Sequence, residues 1–393
     1  MASQKTNKII EITADEFGTL ELIDSGLLSS FKKLVNKSEF FEITRNKELY
    51  GELMPFAYSF APSLVESSKI IQKAKKGDEI LLSYENKIIG AIKTEEIYTL
   101  KEPNESIFTA KNICILNSPD DAGKTAISGE FYLKENKLKN LKNEIHERIE
   151  ALNAKKVTAL MLTADPMHRL HERMIRIVID KADFVVIFLV RTFSGYGRLD
   201  FDLRLECLEY VCDNFLPRER VAIVPFSNTT LFGDHINPVL EAIASKNIGA
   251  NKIVVGQSHT GLGLHFDHNQ ANTLLDKYTR LLNLDLIVLP QMFYCDICHT
   301  IVSSKSCPHG DHHHIKYNTS TIKKLLFAGI IPPAILVRPQ VSAIILERLF
   351  KERFSGFEKV CADLFANCGI IENYTQREFY EKLMKLYQTA SLN

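Results

Sequence analysis

The spacing of apolar and polar positions divides the chain near residue 145. Before that point, short β-rich runs alternate with turn residues. Lys76-Gly77-Asp78 leads into Glu79-Ile80-Leu81-Leu82-Ser83-Tyr84, and the polar Glu85-Asn86-Lys87 separates this run from Ile88-Ile89-Gly90-Ala91-Ile92. Two such runs across a short polar break predict a β-hairpin. The region reads as a small β-barrel or sandwich with helical pieces near Leu64 to Lys75. From Leu133 to Leu152, lysines and glutamates recur at helical spacing, which predicts a connecting helix.

Beyond it the pattern alternates strand and helix. Val157–Leu162, Phe184–Val190, Val221–Val224 and Ile253–Val255 are short continuous apolar runs, hence buried strands. His168–Lys181, Phe201–Phe215 and Pro238–Lys246 are amphipathic helices between them. Continuous apolar strands between such helices predict a parallel sheet covered on both faces, and right-handed crossovers make it doubly wound and Rossmann-like. From about Ile315 the pattern predicts a small helical tail, with helices over Thr319–Phe327 and Val341–Phe354 separated by Ile331-Pro332-Pro333. The expected division is therefore 1–145, 146–314 and 315–393.

Composition adds bounds. With 393 residues, 45% hydrophobic and 24% charged, the chain predicts a globular protein of two or three domains. Lys plus Arg equal Asp plus Glu at 48 each, so net charge supplies no general reason to bind nucleic acid or an anionic membrane. The start of the chain shows no apolar signal segment. The longest purely apolar run, Phe184–Val190, is far short of the roughly 20 residues of a membrane span. Cys114, Cys207, Cys212, Cys361 and Cys368 are scattered among apolar neighbours and read as buried thiols of a reducing compartment, so a cytoplasmic location is expected.

The candidate chemistry sits where the first α/β strand runs into its helix, at Leu162-Thr163-Ala164-Asp165-Pro166-Met167-His168-Arg169-Leu170-His171-Glu172. Ligands of open α/β sheets sit at such strand ends. Thr163 and Asp165 are N-cap candidates and Pro166 suits the first helical position, so the helix start should offer unpaired N–H groups to phosphate. His168 and His171, three apart, share one face and can stabilise charge on phosphoryl oxygens. A pair of surface histidines on an ordinary helix has the same spacing, and the place after the strand selects the phosphate reading. A second loop, Gly256-Gln257-Ser258-His259-Thr260-Gly261-Leu262-Gly263, also follows an apolar strand, with glycines that allow close backbone approach and His259 to reach a ligand.

A third cluster, Cys295-x-x-Cys298, is followed after eight residues by Cys307 and by His309, His312, His313 and His314. That is the spacing of a Cys₃His zinc site, structural because a closed tetrahedron leaves no reactive position. A redox dithiol is the alternative, disfavoured by the third cysteine and the adjacent histidines.

Both loops, in this order, resemble those of the ATP sulfurylase (sulfate adenylyltransferase) family. Thr163, Pro166, His168, His171 and Glu172 match its first motif, and Gly256, His259, Gly261 and Gly263 its second; weaker similarity runs through Gly51 to Pro62, Lys76-Gly77-Asp78 and Arg338-Pro339-Gln340-Val341. The resemblance implies an N-terminal PUA-like β domain, a Rossmann-like (HUP-type) α/β nucleotidyltransferase domain and a small C-terminal domain. It implies ATP and a small oxyanion acceptor as substrates: sulfate attacks the α-phosphorus, Mg²⁺ accompanies ATP and pyrophosphate leaves. Thr163, His168 and His171 would hold the triphosphate, and Asp165, Gly256, His259, Gly261 and Gly263 would contact the nucleotide. Family register makes His313 the fourth zinc ligand, ahead of His312 and His309. A homo-oligomer is compatible with the sequence.

The departures fall on the acceptor side. The family's glutamine and arginine before the histidines are Leu162 and Ala164, its asparagine is Asp165, and another of its arginines aligns with Leu231. Arginine is the best bidentate partner of an oxyanion, so sulfate should bind less well unless Arg191 or Arg198 substitutes. A different acceptor, or a nucleotide binder without catalysis, are the alternative readings.

Overall fold

The computed structural model describes residues 8–54, 59–100, 125–192, 197–233, 238–257, 265–267, 270–273, 275–351, 353, 357–365 and 374–387. The chain falls into two compact units. One comprises Met1–Leu162, Ala182–Phe193 and Val224–Val288, the other Thr163–Lys181, Ser194–Ile223 and Leu289–Asn393.

The first unit contains a five-stranded mixed sheet built from β1 (Lys8–Glu11), β2 (Lys33–Leu34), β3 (Glu79–Tyr84), β4 (Lys87–Thr99) and β5 (Thr125–Leu133), in the order β1-β3-β4-β5-β2. The hairpin expected from the sequence is β3–β4. Its turn is Glu85-Asn86, both left-handed, while Lys87 already pairs with Tyr84. A bulge between Thr94 and Glu96 brings β4 so close to β5 that a Cβ on Gly129, at φ 142°, would collide with the carbonyl oxygen of Lys93. Helix α1 (Ala14–Ser25) starts on a capping box: Thr13 Oγ1 accepts from Glu16 N–H, and the Glu16 carboxylate accepts from Thr13 N–H.

A second sheet is formed by β6 (Val157–Leu162), β7 (Phe184–Val190), β8 (Val221–Phe226), β9 (Lys252–Gly256) and β10 (Asp285–Leu289), in the order β8-β7-β6-β9-β10. Strand β6 runs parallel to both β7 and β9. All seven residues of β7 are buried, as an unbroken apolar run in an interior strand requires. Strand β8 continues two residues past the expected Val224, through Pro225. An edge position tolerates proline because only one side needs its N–H. Strand β10, which apolar spacing did not single out, is the half-buried opposite edge. Ala242 of the helix Pro238–Asn247 packs with Ile253, Val255, Leu275 and Leu284. The fold is α/β with a parallel sheet, and in sequence order its strands run 3-2-1-4-5, the doubly wound arrangement.

The second unit holds α2 (Arg169–Ile179), α3 (Phe201–Phe215), a three-stranded antiparallel sheet of β11 (Met292–Cys295), β12 (Thr300–Ser303) and β13 (His314–Ile315), and the helices α4 (Thr319–Phe327), α5 (Pro339–Leu349), α6 (Phe357–Leu364) and α7 (Gln376–Tyr387). Helix α5 begins two residues earlier than expected because Pro339 fits the first helical position, and it ends at Leu349. Arg377 of α7 bridges Glu206 and Glu347. Cys207, Cys212 and Cys361 are buried thiols, and burial pushes Cys212 up to about 12. Cys114 and Cys368 lie outside the described residues. Among the described residues no helix is long and apolar enough to cross a membrane.

Candidate functional site: a switch-point turn and a cysteine cluster

The register Lys252↔Thr158, Ile253↔Ala159 and Val254↔Leu160 places the ends of β6 and β9 at the same carboxyl edge of the sheet. Strand order reverses between these two neighbours, so they flank the switch point at which open α/β sheets bind ligands. Both sequence motifs begin there, one after Leu162 and the other at Gly256. A Cβ on Gly256 would meet no atom within 4 Å, so that position faces open space. His259, Gly261 and Gly263 lie outside the described residues.

The turn after β6 differs in detail from the expectation. Helix α2 begins at Arg169, and its N-cap is His168 itself, not Thr163 or Asp165; Pro166 precedes the helix, on a cis peptide bond with Asp165. For Asp165 the reason is that other groups take its carboxylate, and Thr163 lies six residues before the first helical residue. Thr163 is exposed and its carbonyl accepts from Arg204. Asp165 Oδ1 accepts from Leu199 N–H at 3.1 Å, and its Oδ2 pairs with Lys323 Nζ at 2.6 Å. The expected unpaired N–H groups are also largely used. Arg169 N–H donates to the Leu336 carbonyl at 2.9 Å, and His171 N–H to His168 Nδ1 at 3.4 Å.

His168 and His171 form a reciprocal cap. Each Nδ1 accepts from the other's backbone N–H at 3.4 Å, and the rings stack with centroids 3.7 Å apart and planes 9° apart. Burial pushes His171 down to about 4, and burial together with the neighbouring His171 holds His168 well below the usual histidine range. Both rings are therefore neutral near pH 7. With Nδ1 accepting, the network assigns the ring proton to Nε2 in each. Neither Nε2 has a hydrogen-bond partner among the described residues. The pair presents two neutral N–H donors.

Glu172, matched by motif alone, has a structural part that sequence reasoning missed. Its carboxylate receives Arg338 at 2.6 and 2.8 Å, Arg176 at 3.1 and 3.2 Å, and Arg169 at 3.5 Å, while the Arg338 guanidinium also lies 3.5 Å above the Phe215 ring. Burial alone would raise this carboxyl, but the guanidiniums hold it below the ordinary range. Helix α4 was also missed as part of the site. Tyr317, two residues before it, sets its ring 5.4 Å from His168, and Lys323 within it reaches Asp165. Leu162, Ala164 and Leu231, at the family's polar positions, are buried, and Ala164 has φ 46°. Arg191 donates to the Ser227 carbonyl at 2.6 Å, whereas Arg198 is exposed.

In the cysteine cluster the histidine brought to the three sulfurs is His309, not the expected His313. Cys295, Cys298, Cys307 and His309 bring their ligand atoms within 4.8 Å of one another. His309 Nδ1 lies 3.4, 3.3 and 3.6 Å from the three sulfurs, and Cys298 and Cys307 sulfurs are 3.9 Å apart. His313 instead binds Asp296 at 2.8 Å, in the 3-10 turn Asp311–His313 that follows Gly310. A tetrahedron with bonds of ~2.3 Å has edges of about 3.8 Å, so these spacings fit a metal held by three thiolates and one imidazole.

Known families match the chain in both of its main regions. A PUA-like domain model matches residues 1–112, and the ATP-sulfurylase model matches residues 136–348. The chain is 24% identical over 367 residues to the sulfate adenylyltransferase of Persephonella marina, covering 87% of this chain and 92% of that protein. It is 24% identical over 345 residues to the sulfate adenylyltransferase of Entamoeba histolytica, covering 81% and 80%. Among solved structures it resembles one described as a hexameric APS kinase from Thiobacillus denitrificans, with a TM-score of 0.65 at 13% identity, over 88% of this chain but only 63% of that one; this likeness concerns the fold alone. With a family model spanning more than half its length, and with both motif strands at the switch point, the chain belongs to the ATP-sulfurylase family.

Proposed function

We propose that the protein is a nucleotidyltransferase that joins ATP and sulfate into adenosine 5′-phosphosulfate, releasing pyrophosphate. The observation that carries the reading is the stacked, neutral His168/His171 pair following the switch-point strand of an ATP-sulfurylase domain. Sulfate oxygen attacks the α-phosphorus in line. The two Nε2–H groups donate to phosphoryl oxygens as charge grows on them, without a covalent intermediate. Thr163, exposed five residues before His168, supplies a hydroxyl to the same polyphosphate. Asp165 contributes through its pairing with Lys323, and Gly256, His259, Gly261 and Gly263 line the nucleotide and acceptor side. Among the described residues no carboxylate cage for a divalent ion occurs, so Mg²⁺ would arrive bound to ATP, neutralising phosphate charge. The cysteine cluster would hold one structural zinc through Cys295, Cys298, Cys307 and His309. The functional division 1–145, 146–314 and 315–393, a cytoplasmic location and a homo-oligomeric assembly belong to the same proposal.

The test is pyrophosphate release from ATP with and without sulfate. We expect release that depends on sulfate and is lost in His168→Ala/His171→Ala with the fold retained. Leu162, Ala164 and Leu231 remove charged or polar partners, so sulfate should bind roughly two orders of magnitude less tightly than in an arginine-bearing site. ATP binding with no sulfate-dependent release would transfer the assignment to another acceptor or to a non-catalytic nucleotide binder.

A further inference from the structure

We propose that Lys323 is a positioning residue that masks the carboxylate of Asp165 so that the His168/His171 turn accepts a polyphosphate. The inference rests on the reading above and deepens it. Asp165 lies in the turn that enters the histidine pair, three residues before His168. A bare carboxylate there would repel every phosphoryl group brought to the two Nε2–H donors. Lys323 Nζ sits 2.6 Å from Asp165 Oδ2, and both side chains are largely withdrawn from solvent, at 16% and 13% exposure. Screening by water is therefore weak, and the neighbouring ammonium is what cancels the charge. Asp165 Oδ1 is occupied separately by Leu199 N–H. The backbone contact and the charge cancellation thus use different oxygens and can be separated by mutation. An amide at position 165 keeps an acceptor for Leu199 and removes the charge that Lys323 masks.

The experiment is calorimetric titration of the full chain with Mg²⁺–ATP, with the melting temperature recorded for each variant. Lys323→Met should weaken ATP by about tenfold or more, since an unmasked charge close to phosphate costs at least that in binding. Asp165→Asn should bind at least as well as the parent. Asp165→Asn/Lys323→Met should recover affinity to within about twofold of Asp165→Asn alone. If Lys323→Met does not fold, the comparison of the double variant with Asp165→Asn still decides. A tenfold loss in that comparison means that Lys323 contacts the phosphates itself, which overturns the masking role. Loss in Asp165→Asn alone means a purely structural brace and also overturns it. Undiminished binding by a folded Lys323→Met overturns the inference while leaving the nucleotide reading intact. A parent protein that does not bind ATP overturns both.

Discussion

His168 and His171 carry a pH signature that follows from their burial. Their folded-state affinity for protons lies below the ordinary histidine value, so between about pH 6.5 and 4 the unfolded chain binds more protons than the native one. Unfolding then takes up protons, and stability falls as pH drops through that window. For His171, pushed down to about 4, the loss is on the order of 3 kcal/mol at most. Urea unfolding at pH 7 and pH 4.5 should show the decline, and His168→Asn/His171→Asn should flatten it. An unchanged slope would mean that the pair is protonated in the native protein. Glu172 makes a second prediction at this scale. Glu172→Gln leaves Arg338, Arg176 and Arg169 without their shared counter-charge and should cost about 3 kcal/mol, because removing one partner strands buried charge. Motif matching identified all three residues. It could not reveal that two of them cap each other, or that the third is a brace whose partner lies 166 positions away.

At the scale of elements, the first four strands and the helices of the α/β region were largely legible, whereas α1, α6, α7 and β10 were not singled out by spacing. Helix α3 coincides with its expected span, Phe201–Phe215, because its apolar positions repeat at helical spacing and Pro217 follows. The start of α2 was not legible. Histidine is an uncommon cap, and it wins here because the Asp165 carboxylate is engaged by Leu199 and Lys323 and the helix starts only at Arg169. The cysteine hairpin gives the same lesson. The knuckle was clear from Cys-x-x-Cys, and Cys298 N–H donates to Cys295 Sγ as a metal-binding knuckle would have it. Which histidine closes the cluster depended on the backbone after Cys307. It turns His309 inward and leaves His313 to Asp296 and His314 to Asp311 and Cys307. His309→Ala should therefore lose about one zinc per chain and lower the melting temperature, whereas His313→Ala keeps the metal. Metal analysis of untagged protein separates the two outcomes, and retention in His309→Ala would return His313 to the ligand set or bring in His314.

At the scale of the whole molecule, the N-terminal region and the parallel sheet join within one compact unit. Helix α1 lies so close to the segment after β8 that a Cβ on Gly18 would be 2.6 Å from the Asn228 carbonyl carbon. Asp15 accepts from Thr230 N–H at 2.7 Å, and Asn228 donates to Glu21 at 3.0 Å. Gly18→Val should therefore separate these elements and destabilise the protein by roughly 3 kcal/mol through overpacking and lost hydrogen bonds. The measurement is chemical denaturation. A Gly18→Val protein as stable as the parent would show that α1 can shift at little cost.

The sequence by itself determined much of the local geometry of the α/β region: which of its continuous apolar runs are strands, which amphipathic runs are helices, and that two strands end in motif loops. Those properties follow from side-chain periodicity over a few residues and survive in any tertiary setting. Only the tertiary structure decided which strands are neighbours and what each polar group does. Strands β6 and β9 lie nearly a hundred residues apart along the chain, yet backbone pairing makes them flank the switch point. The partners of Asp165, Glu172 and the cysteines were likewise out of reach of spacing, because a buried polar group takes whichever donor the fold brings to it. The same motif letters can therefore spell a helix cap, an ion-paired carboxylate or a member of a thiol–imidazole cluster.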